Sequence, residues 1–146
     1  PPSDPRCGWA GLVLEPYMRD WAIWSCPSVA GSRLGEVVSV VQSIDPTRRT
    51  RYWMWRFDRV DDPVPPDNFW GKTPEQAVAD LQANSSPFYA RPEGVNDVEL
   101  AVDPYFPRTI PTVAPELRGL AVHRGGRNRL FLDGHIRWLR DVRTGS

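Results

Sequence analysis

The residues able to do chemistry in this sequence are few, and most crowd toward its carboxyl end. The only two histidines are His123 and His135, with Asp133 close to the second. A turn bringing His123 alongside Asp133 and His135 would assemble two imidazoles and a carboxylate, a donor set that suits zinc or ferrous iron. The backbone competes for the same residues, because Asp133-Gly134 is a dipeptide that tight antiparallel hairpins need for their own geometry. His123, Asp133 and His135 are therefore weak metal candidates, and His123 is expected to donate a hydrogen bond that ties its strand to the following turn. Farther upstream, Asp61, Asp62 and Asp67 offer oxygen ligands without the regular spacing of a calcium-binding loop, and they read as a solvated acidic connection. No G-x-S-x-G, phosphate-binding loop, CxxC or H-E-x-x-H occurs, so nucleophilic, phosphoryl-transfer and zinc-protease chemistries have no sequence support. Neither an enzymatic activity nor a cofactor is expected.

Two cysteines, Cys7 and Cys26, leave two alternatives open. If oxidised to a disulfide, they would stabilise the fold by about 3 kcal/mol through loop-closure entropy, which suits an extracytoplasmic protein. Otherwise they are two buried thiols.

The elements that must position these groups follow from periodicity and punctuation. Trp9, Leu12, Val13, Tyr17, Trp21 and Trp24 recur at three- and four-residue steps, one stripe of a helix, which Pro16 interrupts. This predicts a short helix over 8–15 and a second turn starting at Pro16, followed by a loop from Pro27 to Gly35. Glu36 to Ile44 and Arg51 to Asp58 read as a hairpin around Asp45-Pro46-Thr47-Arg48, with Trp53, Trp55 and Phe57 sharing one face. Asp61 to Phe69 is an irregular connection. Thr73-Pro74-Glu75-Gln76 is a capping box that predicts a helix over 74–83 burying Ala77, Val78 and Leu81. Val98 to Val102 is a strand, and four prolines between Asp103 and Pro115 exclude a central strand or helix until Gly119.

The last segment reads as strand Leu120–His123, turn Arg124-Gly125-Gly126-Arg127, strand Asn128–Leu132, two-residue turn Asp133-Gly134 and strand His135–Leu139. That register sets Phe131 opposite Ile136, Arg129 opposite Trp138, Leu132 opposite His135 and Leu130 opposite Arg137. Apolar side chains fall on both faces, so the hairpin is expected to be covered on both sides.

Composition bounds the whole. One hundred and forty-six residues make a single domain, 1–146, and 40% apolar with 25% charged is a globular balance. Eighteen basic residues against 18 acidic cancel the long-range field that nucleic-acid binders carry, so no nucleic-acid partner is expected. Lysine is represented by Lys72 alone, with arginine supplying the other basic side chains. Seven tryptophans could form a sugar platform, but their placement on strand faces and helical stripes favours core or inter-subunit anchors.

Two runs also resemble a known family. His123, nine residues, then Asp133-Gly134, within His-Arg-Gly-Gly-Arg-Asn-Arg-Leu-Phe-Leu-Asp-Gly-His-Ile-Arg-Trp-Leu, resembles the C-terminal signature of prepilin-type proteins. The upstream Leu14-Glu15-Pro16-Tyr17 and Ser25-Cys26-Pro27-Ser28 resemble the same family, in which a Pro-Tyr pair precedes Cys-Pro-Ser. Such proteins are similar to type IV pilins and type II secretion pseudopilins. The resemblance implies an α+β fold: a small pilin-like head with an antiparallel β-sheet, a meander closing in a C-terminal hairpin, and short helices. It also implies an N-terminal hydrophobic helix, processed by a prepilin peptidase, that is absent from this sequence and expected to have been removed ahead of Pro1. The implied function is that of a structural subunit of a type IV pilus, type II secretion pseudopilus or related surface filament. Its partners would be other pilin-like subunits, and its place extracytoplasmic, at the cell surface or in the periplasm, after anchoring in the inner membrane. His123, Gly125, Gly126, Asn128, Asp133 and Gly134 carry over as a structural signature with no catalytic role. The alternative is an extracellular module that binds glycans or peptides through exposed Trp and Tyr.

Overall fold

A computed structural model describes residues 8–30, 32–35, 50–54, 68–84 and 90–144. The expected strand at 36–44, its Asp45-Pro46 turn, Trp55, Phe57, the acidic residues Asp61, Asp62 and Asp67, and Cys7 lie outside the described residues. Helix α1 spans Gly8–Leu14. It stops where expected: Pro16 has no N–H to continue the ladder, and the Leu14 carbonyl instead accepts from Tyr17 N and Met18 N, both at 2.9 Å. No second α-helix starts at Pro16. The chain turns, and a 3-10 helix forms at Trp21–Trp24, capped by the Asp20 carboxylate accepting from Ala22 N at 2.9 Å. The apolar stripe is correspondingly broken, with Trp24 buried and Tyr17 84% exposed.

The stretch from Pro27, expected as a loop, opens with a one-turn helix α2, Pro27–Ala30. Proline at the first position is preset for the helical φ, and Val29 behind it is fully buried, so local preference and packing agree. Arg51 N donates to Trp24 O at 2.8 Å, and the Arg51 guanidinium donates to Ser25 Oγ at 3.1 Å, fastening this segment to the sheet that follows.

Four strands, β1 Trp53–Met54, β2 Glu99–Val102, β3 Gly126–Phe131 and β4 Ile136–Arg140, form an antiparallel meander in the order β1-β2-β3-β4. Together with the short helices, this is a small α+β fold. Helix α3, Pro74–Ala83, starts at the predicted capping box: Gln76 N donates to Thr73 Oγ1, and Thr73 N to Gln76 Oε1 at 2.8 Å. Its buried face, Ala77, Val78 and Leu81, meets Phe69 and Val98, with Val95, Leu100 and Leu132 packed around them. That cluster closes one end of the sheet. Among the described residues, no helix is long and apolar enough to cross a membrane.

Two expectations near the carboxyl end are corrected. Leu120–His123 is not a strand and makes only isolated bridges, Tyr105 with Ala121 and His123 with Gly126. Its neighbour is the segment holding Pro104 and Pro107, which lack the N–H groups that a continuous ladder needs. The hairpin loop is also one residue longer than expected, taking in Leu132 from the first strand. Phe131 N donates to His135 O at 3.0 Å and Gly134 N to Phe131 O at 2.9 Å, so the loop is Leu132-Asp133-Gly134, with Gly134 at φ +88. This is the three-residue loop in which a type I turn is followed by a left-handed residue. The pairs become Leu130–Ile136, Arg129–Arg137 and Asn128–Trp138, which puts every β4 side chain one partner away from the expected one.

The slip has a consequence for burial. β4 is the outer strand among the described residues, with Ile136 69% and Trp138 48% exposed, so the hairpin is not covered on both sides.

Candidate functional site

The register places Tyr52, Asp103, Asn128 and Trp138 side by side across the sheet, with Ala101, Leu130 and Ile136 in the adjoining row of the same face. Cys26, just before α2, and His123, from the turn leading into β3, complete the wall of a cleft of about 430 Å³ over this face. Asp103 is 3% exposed, Cys26 is buried and His123 half-buried.

Three side chains converge in this cleft. Cys26 Sγ lies 3.6 Å from His123 Nε2, and that same nitrogen lies 3.3 Å from Asp103 Oδ2. The carboxylate is steadied by Asn128, whose backbone N and side-chain Nδ2 both donate to Oδ2, at 2.9 and 3.1 Å. Trp138 meets the imidazole edge-on, with ring centroids 6.0 Å apart. Gly126 permits this approach, since a Cβ there would fall 2.4 Å from both the Leu139 carbonyl oxygen and the Trp138 ring. Burial pushes the Tyr52 phenol pKa up, and the neighbouring Cys26 and Asp103 add to the shift, so Tyr52 stays protonated at neutral pH.

The arrangement is not a nucleophilic triad. In a triad the carboxylate holds one imidazole nitrogen while the other faces the nucleophile. Here the thiol and the carboxylate share Nε2. What the geometry offers instead is three donors of different softness pointing at one small volume.

The weak metal candidates His123, Asp133 and His135 are not brought together. Asp133 Oδ1 accepts from His135 N at 3.1 Å and contacts His135 Nδ1 at 2.5 Å, within the hairpin loop, and His135 stacks on Phe131 with centroids 4.5 Å apart. The backbone bond from His135 does most to hold the Asp133 carboxyl below the usual carboxylate range. His123 is grouped instead with Cys26 and Asp103. Nor does the His123 side chain tie its own segment to the turn. Its carbonyl does so, accepting from Gly126 N, while the ring reaches the end of β2.

The remaining signature residues shape the backbone. Gly125 and Gly134 adopt positive φ, Asn128 holds Asp103, and Asp133 closes the loop onto His135 N. Cys26 carries a free thiol, and Cys7, its partner in the disulfide alternative, lies outside the described residues. Sequence reasoning missed Asp103 and Tyr52. The only signal for Asp103 was its place at the end of an apolar strand, immediately before Pro104, and that marks a strand terminus as readily as a site. Comparison with family models, with curated proteins and with solved structures finds no match for this chain.

Proposed function

We propose that this chain is the head of a pilin-like subunit, belonging to a type IV pilus, a type II secretion pseudopilus or a related surface filament. It acts outside the cytoplasm by docking to other such subunits. The observation that carries this reading is β4: the outermost described strand presents Ile136 and Trp138 to solvent, and Val142, just beyond it, is 79% exposed. An edge strand with exposed apolar side chains is a ready template for pairing with another chain, and proteins that stay monomeric usually blunt such edges. Arg137 and Arg140 on the same strand add long side chains suited to contacts at an interface rim. The backbone roles of Gly125, Gly126, Asp133 and Gly134 are those of residues that fix a hairpin's shape.

The test uses the full-length protein, with whatever segment its gene encodes ahead of Pro1, expressed in its native host and imaged for surface filaments by electron microscopy. Ile136→Lys and Val142→Lys are expected to remove the filaments while leaving the circular dichroism of the head unchanged. A wild-type protein that neither enters the membrane nor forms filaments would overturn the proposal. Saturable quenching of tryptophan fluorescence by a glycan or peptide would favour the binding-module alternative.

A further inference from the structure

The structure assigns a mononuclear zinc site to Cys26, Asp103 and His123, with a fourth coordination position facing the cleft. The assignment does not rest on filament assembly; it follows from how three side chains from distant parts of the chain meet. Cys26 belongs to the Cys-Pro-Ser run and His123 to the His-to-Asp-Gly run, two motifs separated by most of the sequence, and their side chains approach to 3.6 Å. Asp103 is brought to the same point by the end of β2, and one donor atom from each of the three lies within 4.8 Å of the other two.

The distances suit the ion. A tetrahedral zinc ion with Zn–S of about 2.3 Å and Zn–N or Zn–O of about 2.0–2.1 Å separates its sulfur and nitrogen ligands by roughly 3.5 Å, and its nitrogen and oxygen ligands by roughly 3.4 Å. The observed separations are 3.6 Å for Cys26 Sγ to His123 Nε2 and 3.3 Å for His123 Nε2 to Asp103 Oδ2. Valence points the same way. An imidazole nitrogen has either one hydrogen or one lone pair, so Nε2 cannot make a well-aligned hydrogen bond to both the thiol and the carboxylate. A metal ion on the Nε2 axis is shared by all three.

Charge favours a cation here as well. Asp103 is buried, and its ion-pair partner His123 is cationic only when protonated. A divalent ion here would neutralise the buried carboxylate without protonating the imidazole. The two hydrogen bonds from Asn128 hold the Asp103 carboxylate in place beside the other two donors. A thiolate, an imidazole and a carboxylate together select zinc over the hard cations magnesium and calcium.

The experiment takes the reduced chain in a Cys7→Ser background, so that Cys26 is its sole thiol. After loading with zinc and exhaustive dialysis, elemental analysis is expected to find one zinc per chain. Cobalt(II) substitution is expected to give a thiolate-to-metal charge-transfer band together with tetrahedral visible bands. His123→Gln and Asp103→Asn should weaken cobalt binding at least tenfold, and Asn128→Ala by about ten- to a hundredfold, whereas His135→Gln should leave it unchanged. Far less than one zinc per chain, or cobalt bound without a charge-transfer band, overturns the assignment. So does binding that survives His123→Gln and is lost in His135→Gln. Because the charge-transfer band is read on the Cys7→Ser protein itself, the assignment stays testable even if a ligand variant fails to fold.

Discussion

Replacing Asp141 by asparagine should be among the most damaging single changes available outside the apolar core. Asp141 is buried just after β4, and its carboxylate accepts from Arg127 on β3 and from Arg143 two residues on, the latter through Nε at 2.8 Å and Nη2 at 2.7 Å. Arg127 is buried as well, so removing the carboxylate charge leaves its guanidinium uncompensated. Breaking a buried pair from one side costs about 3–5 kcal/mol, and the pair also links β3 to the segment just after β4. Arg127 keeps a second partner, the Tyr105 ring 3.6 Å below its guanidinium carbon, worth about 1 kcal/mol. The expected loss is therefore about 3 kcal/mol, or roughly 6–12 °C in Tm for a domain of this size. Arg143 is 42% exposed at its side chain, and Arg143→Ala should cost no more than about 1 kcal/mol.

The same carboxylate sets the direction of the pH dependence. The Arg143 hydrogen bonds, followed by that from Arg127, hold its pKa well below the usual carboxylate range despite the opposing effect of burial. A folded pKa below the unfolded value of about 3.9 gives stability that is present above about pH 4 and is lost as the pH falls toward the folded value. Urea unfolding followed by tryptophan fluorescence should show the wild type well above Asp141→Asn at neutral pH, with the two curves converging in acid. A difference below about 1 kcal/mol at neutral pH, or one that does not shrink between about pH 4 and pH 2, would refute the reasoning.

Two further changes probe the packing. Leu81→Ala empties a fully buried position of α3 against Phe69 and Val98 and should cost about 3 kcal/mol, read as a lower urea midpoint at constant m-value. Gly126→Ala should cost about 1–3 kcal/mol, because a Cβ there meets the backbone oxygen of Leu139, which cannot rotate away; amide exchange at the β3–β4 ladder should accelerate with it.

Much of this protein was legible in its sequence because the physics involved is local. Thr73, Pro74 and Gln76 specify a helix start through hydrogen bonds within one turn, and the strand at 99–102 lies inside its predicted span. Pro16 stops α1, and the prolines after Asp103 keep α-helix and strand out, since a missing N–H acts wherever it stands, although Pro115 itself opens a one-turn 3-10 helix, Pro115–Leu117. That a tight β-hairpin forms around Asp133-Gly134 was equally local. Its register was not. A two-residue loop and a three-residue loop with Gly134 in the left-handed region differ by little energy in isolation, and the choice between them depends on what each face of β3 then meets.

Tertiary structure decided the site. Cys26, Asp103 and His123 are distant along the chain, and no periodicity relates them; they meet because Arg51 docks on Trp24, β2 pairs with β3, and Gly126 lets Trp138 come close enough to back the imidazole. The sequence placed His123 near Asp133 and His135 because they are neighbours in the chain. The folded sheet separates them, because Asp133 and His135 are consumed by the hairpin loop while the His123 ring reaches across to another strand. Local hydrogen-bonding rules could name the turns and caps, whereas the meeting of a thiol, a carboxylate and an imidazole depends on long-range packing that those rules do not contain.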